Sequence, residues 1–155
     1  MTQALTPGDM GIPNYKGTYL DFLDFRIIEA RPGFVRMRMP ITRTHTNTLD
    51  MAHGGIIMSM LDIAGAFASH GGERGDEVSV TMTQSTQFMR AVLGDTLYAE
   101  GRLTRRAGRT AFTQSTVYDP SHGDDPESQI CATAQCTFLM RPRDRSRPAN
   151  GESNE

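Results

Sequence analysis

The chain has 155 residues, a formal net charge of −2, 37% hydrophobic residues and 22% charged residues. This length suits one domain with a substantial core, and the near-neutral charge lacks the basic excess of nucleic-acid-binding proteins. No apolar run is long enough to span a membrane, and residues 1–17 have neither the basic start nor the apolar core of a signal peptide. We therefore expect a soluble, cytoplasmic protein with no nucleic-acid and no membrane partner.

The first part of the chain predicts an arm followed by a hairpin. Residues 1–19 carry two prolines and two glycines in their first thirteen positions and are predicted to be an N-terminal arm, with a helical turn at 15–20. Two strands are predicted at 22–29 and 34–39, and the second alternates apolar residues with arginines. The residues Arg31-Pro32-Gly33 between them are typical of a turn.

A long buried helix is predicted from Gly54 to the glycine-rich stretch 70–76. Nearly every position is apolar, and a helix that is apolar on all sides belongs inside a fold. About 16 residues give it a length of about 24 Å. Gly54 and Gly55 let another group approach the first helix amides, which lack internal partners and lie at the positive end of the helix dipole.

Four more strands are predicted after the helix, at residues 77–90, 95–106, 110–118 and 129–140. Residues 81–87 are polar on both faces, which is typical of a strand that faces another chain or a wet site. Two strands, one helix and four strands indicate an α+β domain over residues 20–140, in which an antiparallel sheet of about six strands wraps around one long central helix. The charged residues 141–155 are predicted to be a disordered tail.

One charge, Asp62, interrupts the apolar helix. A carboxylate in such a place is costly unless it is partnered or faces a cavity. It is either a structural group that caps a neighbouring backbone or a group with a chemical task. The glycine pair has two interpretations as well, because it allows either tight packing of the helix or the binding of a ligand carbonyl.

The spacing Asn47-x5-His53-Gly54-Gly55-x6-Asp62 resembles the signature of hotdog-fold acyl-CoA thioesterases of the phenylacetic-acid-degradation (PaaI-like) type. The likeness extends over about residues 20–140 and includes the strand after the helix, an Arg/Gly turn at 105–109 and a closing strand at 132–139.

Two departures from the family pattern concern loops. Asp50 stands where the family usually has glycine, and Asp is one of the few other residues that tolerate left-handed geometry. The segment after Arg90 is a residue shorter and lacks the usual proline.

The resemblance implies a hydrolase that splits a small or medium acyl-CoA, aromatic ones included, without a cofactor. The thioester carbonyl would be bound by the Gly54 amide and the Asn47 side chain, Asp62 would be nucleophile or general base, and Thr81 would help to place water. His53 is either a catalytic base or a residue that makes an orienting hydrogen bond at the start of the helix, and we favour the second interpretation. The residues expected to contact substrate are His53, Gly55, Met58, Arg90, Arg105, Arg106, Gly108 and Arg109.

The four arginines of that set suit the phosphate charges of CoA, because guanidinium groups pair well with phosphate. Each of them is equally well explained as an ordinary solvated charge.

Asp62 lies eight residues after Gly54, hence about 12 Å farther along the helix axis. One helix therefore cannot bring both to the same carbonyl, since a base must lie within about 3–4 Å of the reacting group or its water. If both serve one site, Asp62 comes from a second subunit across a two-fold axis, which predicts a homodimer with two shared sites. The resemblance adds assembly of such dimers into a tetramer.

The remaining candidate groups carry no motif. His45, His70 and His122 have no spacing that suggests a metal site and are predicted to be surface or loop residues. Cys131 and Cys136 point to opposite faces of one predicted strand, so they are expected to be free, buried thiols. No serine nucleophile elbow is present.

Two other functions remain open on the same fold. A hydratase or dehydratase of acyl thioesters usually pairs a catalytic histidine with an acid at the helix, and the lone Asp62 after the glycines fits hydrolysis better. A non-catalytic acyl-CoA sensor would keep the helix start but has no need of the acid.

Overall fold

The predicted central helix, α2, spans Gly54–Ser69. The computed structural model describes residues 4–12, 14–70 and 77–144. Of the tail predicted at 141–155, Arg141 and Pro142 belong instead to the last strand, because they continue its pairing. The residues from 145 onward and the glycine-rich residues 71–76 fall outside this part of the chain. The helices and strands are α1 Tyr19–Leu23, β1 Arg26–Arg31, β2 Phe34–Pro40, α2 Gly54–Ser69, β3 Glu77–Phe88, β4 Thr96–Ala107, β5 Thr110–Tyr118, α3 Pro126–Gln129 and β6 Ile130–Pro142, with 3-10 turns at Arg43–His45 and Pro120–His122.

Six antiparallel strands form one sheet in the order β1-β2-β4-β5-β6-β3, and this sheet curves around α2. The arrangement confirms the predicted α+β architecture, with six strands around one long helix. Strand β2 shows why the pattern succeeded: Val35, Met37 and Met39 are buried toward the helix, while Arg36 and Arg38 alternate with them on the outer face.

Helix and sheet approach each other closely enough for backbone contact. A Cβ atom at Gly101 of β4 would lie 2.0 Å from the carbonyl oxygen of Ala64 in α2, so a glycine is required there. At Gly65 a Cβ would lie 2.7 Å from Thr113 Oγ1 and 3.1 Å from Ser115 Oγ of β5. Small residues on both elements therefore allow the sheet to enclose the helix.

Strand β3 lies at the edge of the sheet, beside β6. Its Val80, Met82 and Phe88 are 44%, 58% and 52% exposed. We call the exposed apolar residues around this edge the β3 surface; they are Met58, Val80, Met82, Phe88, Met89 and Leu93.

The start of the domain differs from prediction. Leu23, Phe25 and Ile27 are buried with a period of two, as in a strand, but residues 19–23 form the helix α1. Asp24, with a φ of 48°, ends that helix in the left-handed conformation, and β1 begins only at Arg26. The predicted helical turn at 15–20 was therefore placed too early.

Leu5 of the predicted arm pairs with Ile27 through two backbone hydrogen bonds of 2.8 Å. Cys131 and Cys136 are free and buried, as predicted. None of the helices in the described ranges is long and apolar enough to cross a membrane.

Candidate functional site

The start of α2 presents an amide that the protein leaves available. His53 is the N-cap residue, and its Nδ1 accepts a hydrogen bond of 2.9 Å from the Gly55 amide. This is an orienting hydrogen bond of the kind predicted for His53. Within the described residues nothing accepts from the Gly54 amide, so this donor at the positive end of the helix dipole is free for a ligand.

Asn47 shapes the loop before the helix. Its Oδ1 accepts hydrogen bonds from the amides of Leu49 (2.8 Å) and Met51 (3.3 Å), while its side-chain NH₂ group bonds to none of the described residues. Asp50 has a φ of 59°, the left-handed geometry expected where glycine is usual, and forms an ion pair with Arg43. The loop thus holds the Asn47 carbonyl oxygen and leaves its NH₂ group free to donate.

Asp62 is half-buried on α2 and receives a hydrogen bond from a neighbouring strand. Thr81 Oγ1 of β3 donates to Asp62 Oδ1 over 2.8 Å. Burial raises the pKa of the Asp62 carboxyl above its ordinary value, and the Thr81 hydrogen bond offsets part of that rise because it stabilises the ionised form.

Gln84 was not singled out from the sequence, yet it fixes β3 against α2. Its Nε2 donates to the carbonyl oxygen of Met58 (3.1 Å) and to Thr86 Oγ1 (2.9 Å). A glutamine in a strand of alternating polar residues gives no signal of its own, because the carbonyl that it binds lies 26 positions earlier.

Two separate clusters result within one chain. Gly54 lies beside Phe88, whose ring is 3.6 Å from where a Gly54 Cβ would stand. Asp62 lies beside Thr81, seven residues from Phe88, which is about 23 Å of strand. The single chain therefore keeps the predicted carbonyl-binding amide and the predicted acid apart, as the helix spacing indicated.

The predicted CoA-binding arginines are distributed over both ends of the sheet. Arg106 binds both carboxylate oxygens of Glu77 at 2.9 Å, and its Nε donates to the Gly108 carbonyl. Arg109 Nε lies 3.4 Å from a backbone carbonyl oxygen, that of Met140. Arg105 is exposed on the same β4–β5 hairpin.

Arg90 is exposed beyond the opposite end of β3. That strand is about 36 Å long from Glu77 to Phe88. The hairpin arginines and Arg90 thus do not meet within one chain.

Two of the three histidines predicted to be surface or loop residues are largely buried. His45 is only 2% exposed, because its Nδ1 interacts with Thr42 and its ring packs edge-on against Phe22. Its carbonyl oxygen accepts the His53 amide, so it supports the start of α2. His122 lies in a loop, as predicted, but its ring is largely buried. Among the described residues no three His, Cys, Asp or Glu side chains are grouped as in a metal site.

The sequence and the fold are both similar to those of known proteins. Residues 49–125, about half of the chain, match the family model of the thioesterase superfamily. A protein of Archaeoglobus fulgidus provisionally named an esterase is 34% identical over 101 residues, covering 63% of this chain and 62% of the relative. A provisionally named esterase of Schizosaccharomyces pombe is 31% identical over 93 residues, or 58% of this chain and 56% of the relative. The chain thus spans about three fifths of the length of these curated relatives.

Solved structures share the architecture. A thioesterase family protein from Silicibacter pomeroyi superposes with a TM-score of 0.72 at 21% identity, over 79% of this chain and 88% of that chain. A protein from Streptococcus mutans bound to acetyl-CoA superposes with a TM-score of 0.67 at 23% identity, over 80% and 94%. At such identities the likeness shows the fold.

Proposed function

The chain has the hotdog fold and belongs to the thioesterase superfamily, and from this premise we propose that it hydrolyses acyl-CoA thioesters to a free acid and CoA. Asp62 carries the proposal. This half-buried carboxylate lies in an apolar helix and accepts a hydrogen bond from the Thr81 hydroxyl. Burial raises its pKa and so disfavours the ionised form. A carboxylate whose pKa is raised by burial is a candidate functional group, because catalytic acids and bases need such perturbed values. The esterase names of the curated relatives and the acetyl-CoA bound to the Streptococcus mutans protein support the reaction and the ligand class.

In the proposed reaction Asp62 acts on the thioester carbonyl carbon. As general base, the carboxylate takes a proton from water while the water oxygen bonds to the carbonyl carbon; the C–S bond then breaks and the CoA sulfur takes up a proton. As nucleophile, its oxygen bonds to the carbonyl carbon, the C–S bond breaks and the CoA sulfur leaves and takes up a proton. Water then hydrolyses the resulting anhydride to the free acid and the Asp62 carboxylate. Thr81 supports either route, since its hydroxyl keeps one carboxylate oxygen in place and leaves the other to react.

The carbonyl oxygen would be held by the Gly54 amide and the Asn47 NH₂ group. Both donors are free of partners among the described residues. Negative charge develops on this oxygen in the tetrahedral transition state, and each well-placed donor can contribute about 10²–10³ in rate.

The two clusters would meet in a homodimer, with Gly54 and Asn47 from one subunit and Asp62 and Thr81 from the other. The β3 surface supports this, because large apolar side chains around an unpaired edge strand favour association with a second copy. Met58 lies midway between Gly54 and Asp62 on α2 and is 42% exposed, so the two-fold axis would pass near it.

The finer features follow the PaaI-like pattern. The acyl group would be small or medium, aromatic ones included, and would lie against apolar side chains such as Met58 and Phe88. The arginines 90, 105, 106 and 109 would face the CoA phosphates. Pairs of dimers would form a cytoplasmic tetramer through the outer face of the sheet, where the groove between β3, β5 and β6 is lined by uncharged residues such as Ser85, Gln114 and Gln135.

The test is release of free thiol from acyl-CoAs that differ in chain length and aromaticity. Wild-type protein should hydrolyse at least one of them, and Asp62→Asn should lose roughly 10²-fold or more in kcat, the scale of general base catalysis. Because ionisation of Asp62 is disfavoured in the fold, the Asn variant should melt no lower than wild type at neutral pH.

The matched control is Asp125→Asn, which keeps the N-cap of α3 and should retain full turnover. A folded Asp62→Asn protein with normal turnover would refute the role of Asp62. Hydration of an enoyl-CoA without thiol release would indicate the hydratase alternative. Tight binding of an acyl-CoA without turnover would indicate the non-catalytic sensor.

A further inference from the structure

The segment 88–94, which connects β3 to β4, lies against the start of α2. The Phe88 ring lies beside Gly54, 3.6 Å from where a Gly54 Cβ would stand. Four residues on, the carbonyl oxygen of Val92 accepts the amide of Ala52, two positions before Gly54, over 3.3 Å. The placement of the helix start thus depends on where this segment lies.

Asp119, directly after β5, fixes the segment from the other side. Its carboxylate accepts hydrogen bonds from the amides of Leu93 and Gly94, both 2.8 Å, and of Ser121, 2.9 Å. Only 1% of the residue is exposed. Burial disfavours ionisation, yet the hydrogen bonds from Gly94, Ser121 and Leu93 together lower the pKa of Asp119 below its ordinary value, so it is held as the anion.

Neighbouring contacts extend this support along the segment. His122 Nε2 donates to the carbonyl oxygen of Ala91 over 2.8 Å and lies 4.0 Å from Asp119. The Val92 side chain is 1% exposed in the core. Each residue from 91 to 94 thus has a backbone amide or carbonyl in a hydrogen bond. In three of the four residues the partner is the side chain of Asp119 or His122.

We propose that Asp119 is a positioning residue for the carbonyl-binding amide: it fixes the Leu93 and Gly94 amides, the segment in turn fixes Ala52 through Val92, and Ala52 sets the place of Gly54. The inference rests on the proposed thioesterase function for its catalytic consequence. A donor stabilises a developing oxyanion only at the right distance, and a displacement of about 1 Å can cost about 10²-fold in rate.

The test compares Asp119→Asn with Asp125→Ala, which removes a cap in the same β5–β6 connection but leaves segment 88–94 untouched. Asn keeps the size of Asp119 but offers a single acceptor oxygen and no charge to three amides. Asp119→Asn should lower kcat about 10-fold or more with KM changed less than about 3-fold, as expected when an interaction of the transition state is lost. Amide hydrogen exchange, measured without substrate, should accelerate at Ala52, His53 and Gly55, the hydrogen-bonded amides within 52–55, while the middle of α2 is unchanged. Asp125→Ala should match wild type in both measurements.

A second variant, Gly94→Ala, reaches the same contact without altering the carboxylate, because its Cβ would lie 2.8 Å from Asp119 Oδ1. It should change kcat and exchange in the same direction. If Asp119→Asn does not fold, His122→Ala decides the matter: it removes the Nε2 hydrogen bond to Ala91 and leaves the three amide bonds of the Asp119 carboxylate in place, so local exchange should accelerate and kcat should fall more mildly.

Wild-type kcat or wild-type exchange at 52–55 in a folded Asp119→Asn protein would overturn the proposal, as would wild-type values in His122→Ala when Asp119→Asn is unfolded. The proposed function fails separately, if wild-type protein releases no thiol from any acyl-CoA. In that case the exchange pattern still decides whether Asp119 places the helix start.

Discussion

At the scale of single residues, the contact between Asp62 and Thr81 bears on the catalytic role proposed for the Asp62 carboxylate. The carboxyl has two opposing influences, burial that raises its pKa and a hydroxyl that lowers it. A general base works only while it is ionised, so turnover should fall as the pH decreases through the pKa of Asp62. The raised pKa places this loss at a higher pH than an ordinary aspartate would.

Thr81→Val should move the acidic limb of the kcat profile to higher pH, because it removes the hydrogen bond that stabilises the ionised carboxylate. Thr81→Ser keeps the hydroxyl and should leave the limb near its wild-type position. The measurement is kcat against pH for the three proteins with one acyl-CoA. An unshifted limb in Thr81→Val would mean that another group governs the acidic limb.

The sequence predicts several candidate site residues but not the residues that hold them in place. Asp62 and Gly54 stand out because a lone charge and a glycine pair are unusual in and before an apolar helix. Asp119 gives no such signal: an aspartate at the end of a strand is common in turns, and its amide partners lie 25 and 26 positions earlier in the chain. A contact of this kind exists only after the fold has formed.

At the scale of elements, the helix was predicted with the correct ends, and β5 was predicted residue for residue. Both have strong local signals, apolar character in the helix and turns at each end of the strand. The prediction of a strand at 22–29 was wrong at its start. Every second residue from Leu23 to Ile27 is buried, although the helix α1 ends at Asp24 within this stretch. Period-two burial is necessary for a half-buried strand but is not restricted to strands.

The close packing of α2 on the sheet predicts an asymmetry between two glycines. Gly101→Ala should destabilise the protein by several kcal/mol or prevent folding, because its Cβ would overlap a helix carbonyl and overpacking in a core costs about 1–3 kcal/mol or more. Gly54→Ala makes only an ordinary contact with Phe88, at 3.6 Å, and should melt near wild type. Thermal unfolding of both variants checks this, and equal melting temperatures would contradict the packing described.

At the scale of the whole molecule, the separation of Gly54 from Asp62 predicts complementation between subunits. Asp62→Asn and Gly54→Val should each be inactive as homodimers, since the first lacks the proposed acid and the valine side chain would extend toward Phe88, where the thioester carbonyl is proposed to bind. In a mixed dimer one site carries both lesions and the other carries neither. About half of the dimers are mixed after free exchange of subunits, so activity should recover to about a quarter of wild type per total subunit.

Each homodimer must first be shown to fold, by circular dichroism and melting temperature. Mixed dimers are isolated with two different affinity tags, and thiol release is then measured on them. Isolated mixed dimers without activity would show that the two residues do not combine across subunits.

The exposed edge of β3 also bears on how the protein survives in the cell. From Val78 to Met89 this edge carries no charged residue and no proline, the features by which natural proteins keep edge strands from pairing at random. A separated chain therefore presents a long uncharged edge to which an extended peptide can add. In the proposed dimer this edge is covered, so we expect newly made chains to be open to aggregation until they assemble, and the yield of native protein to rise with the rate of assembly.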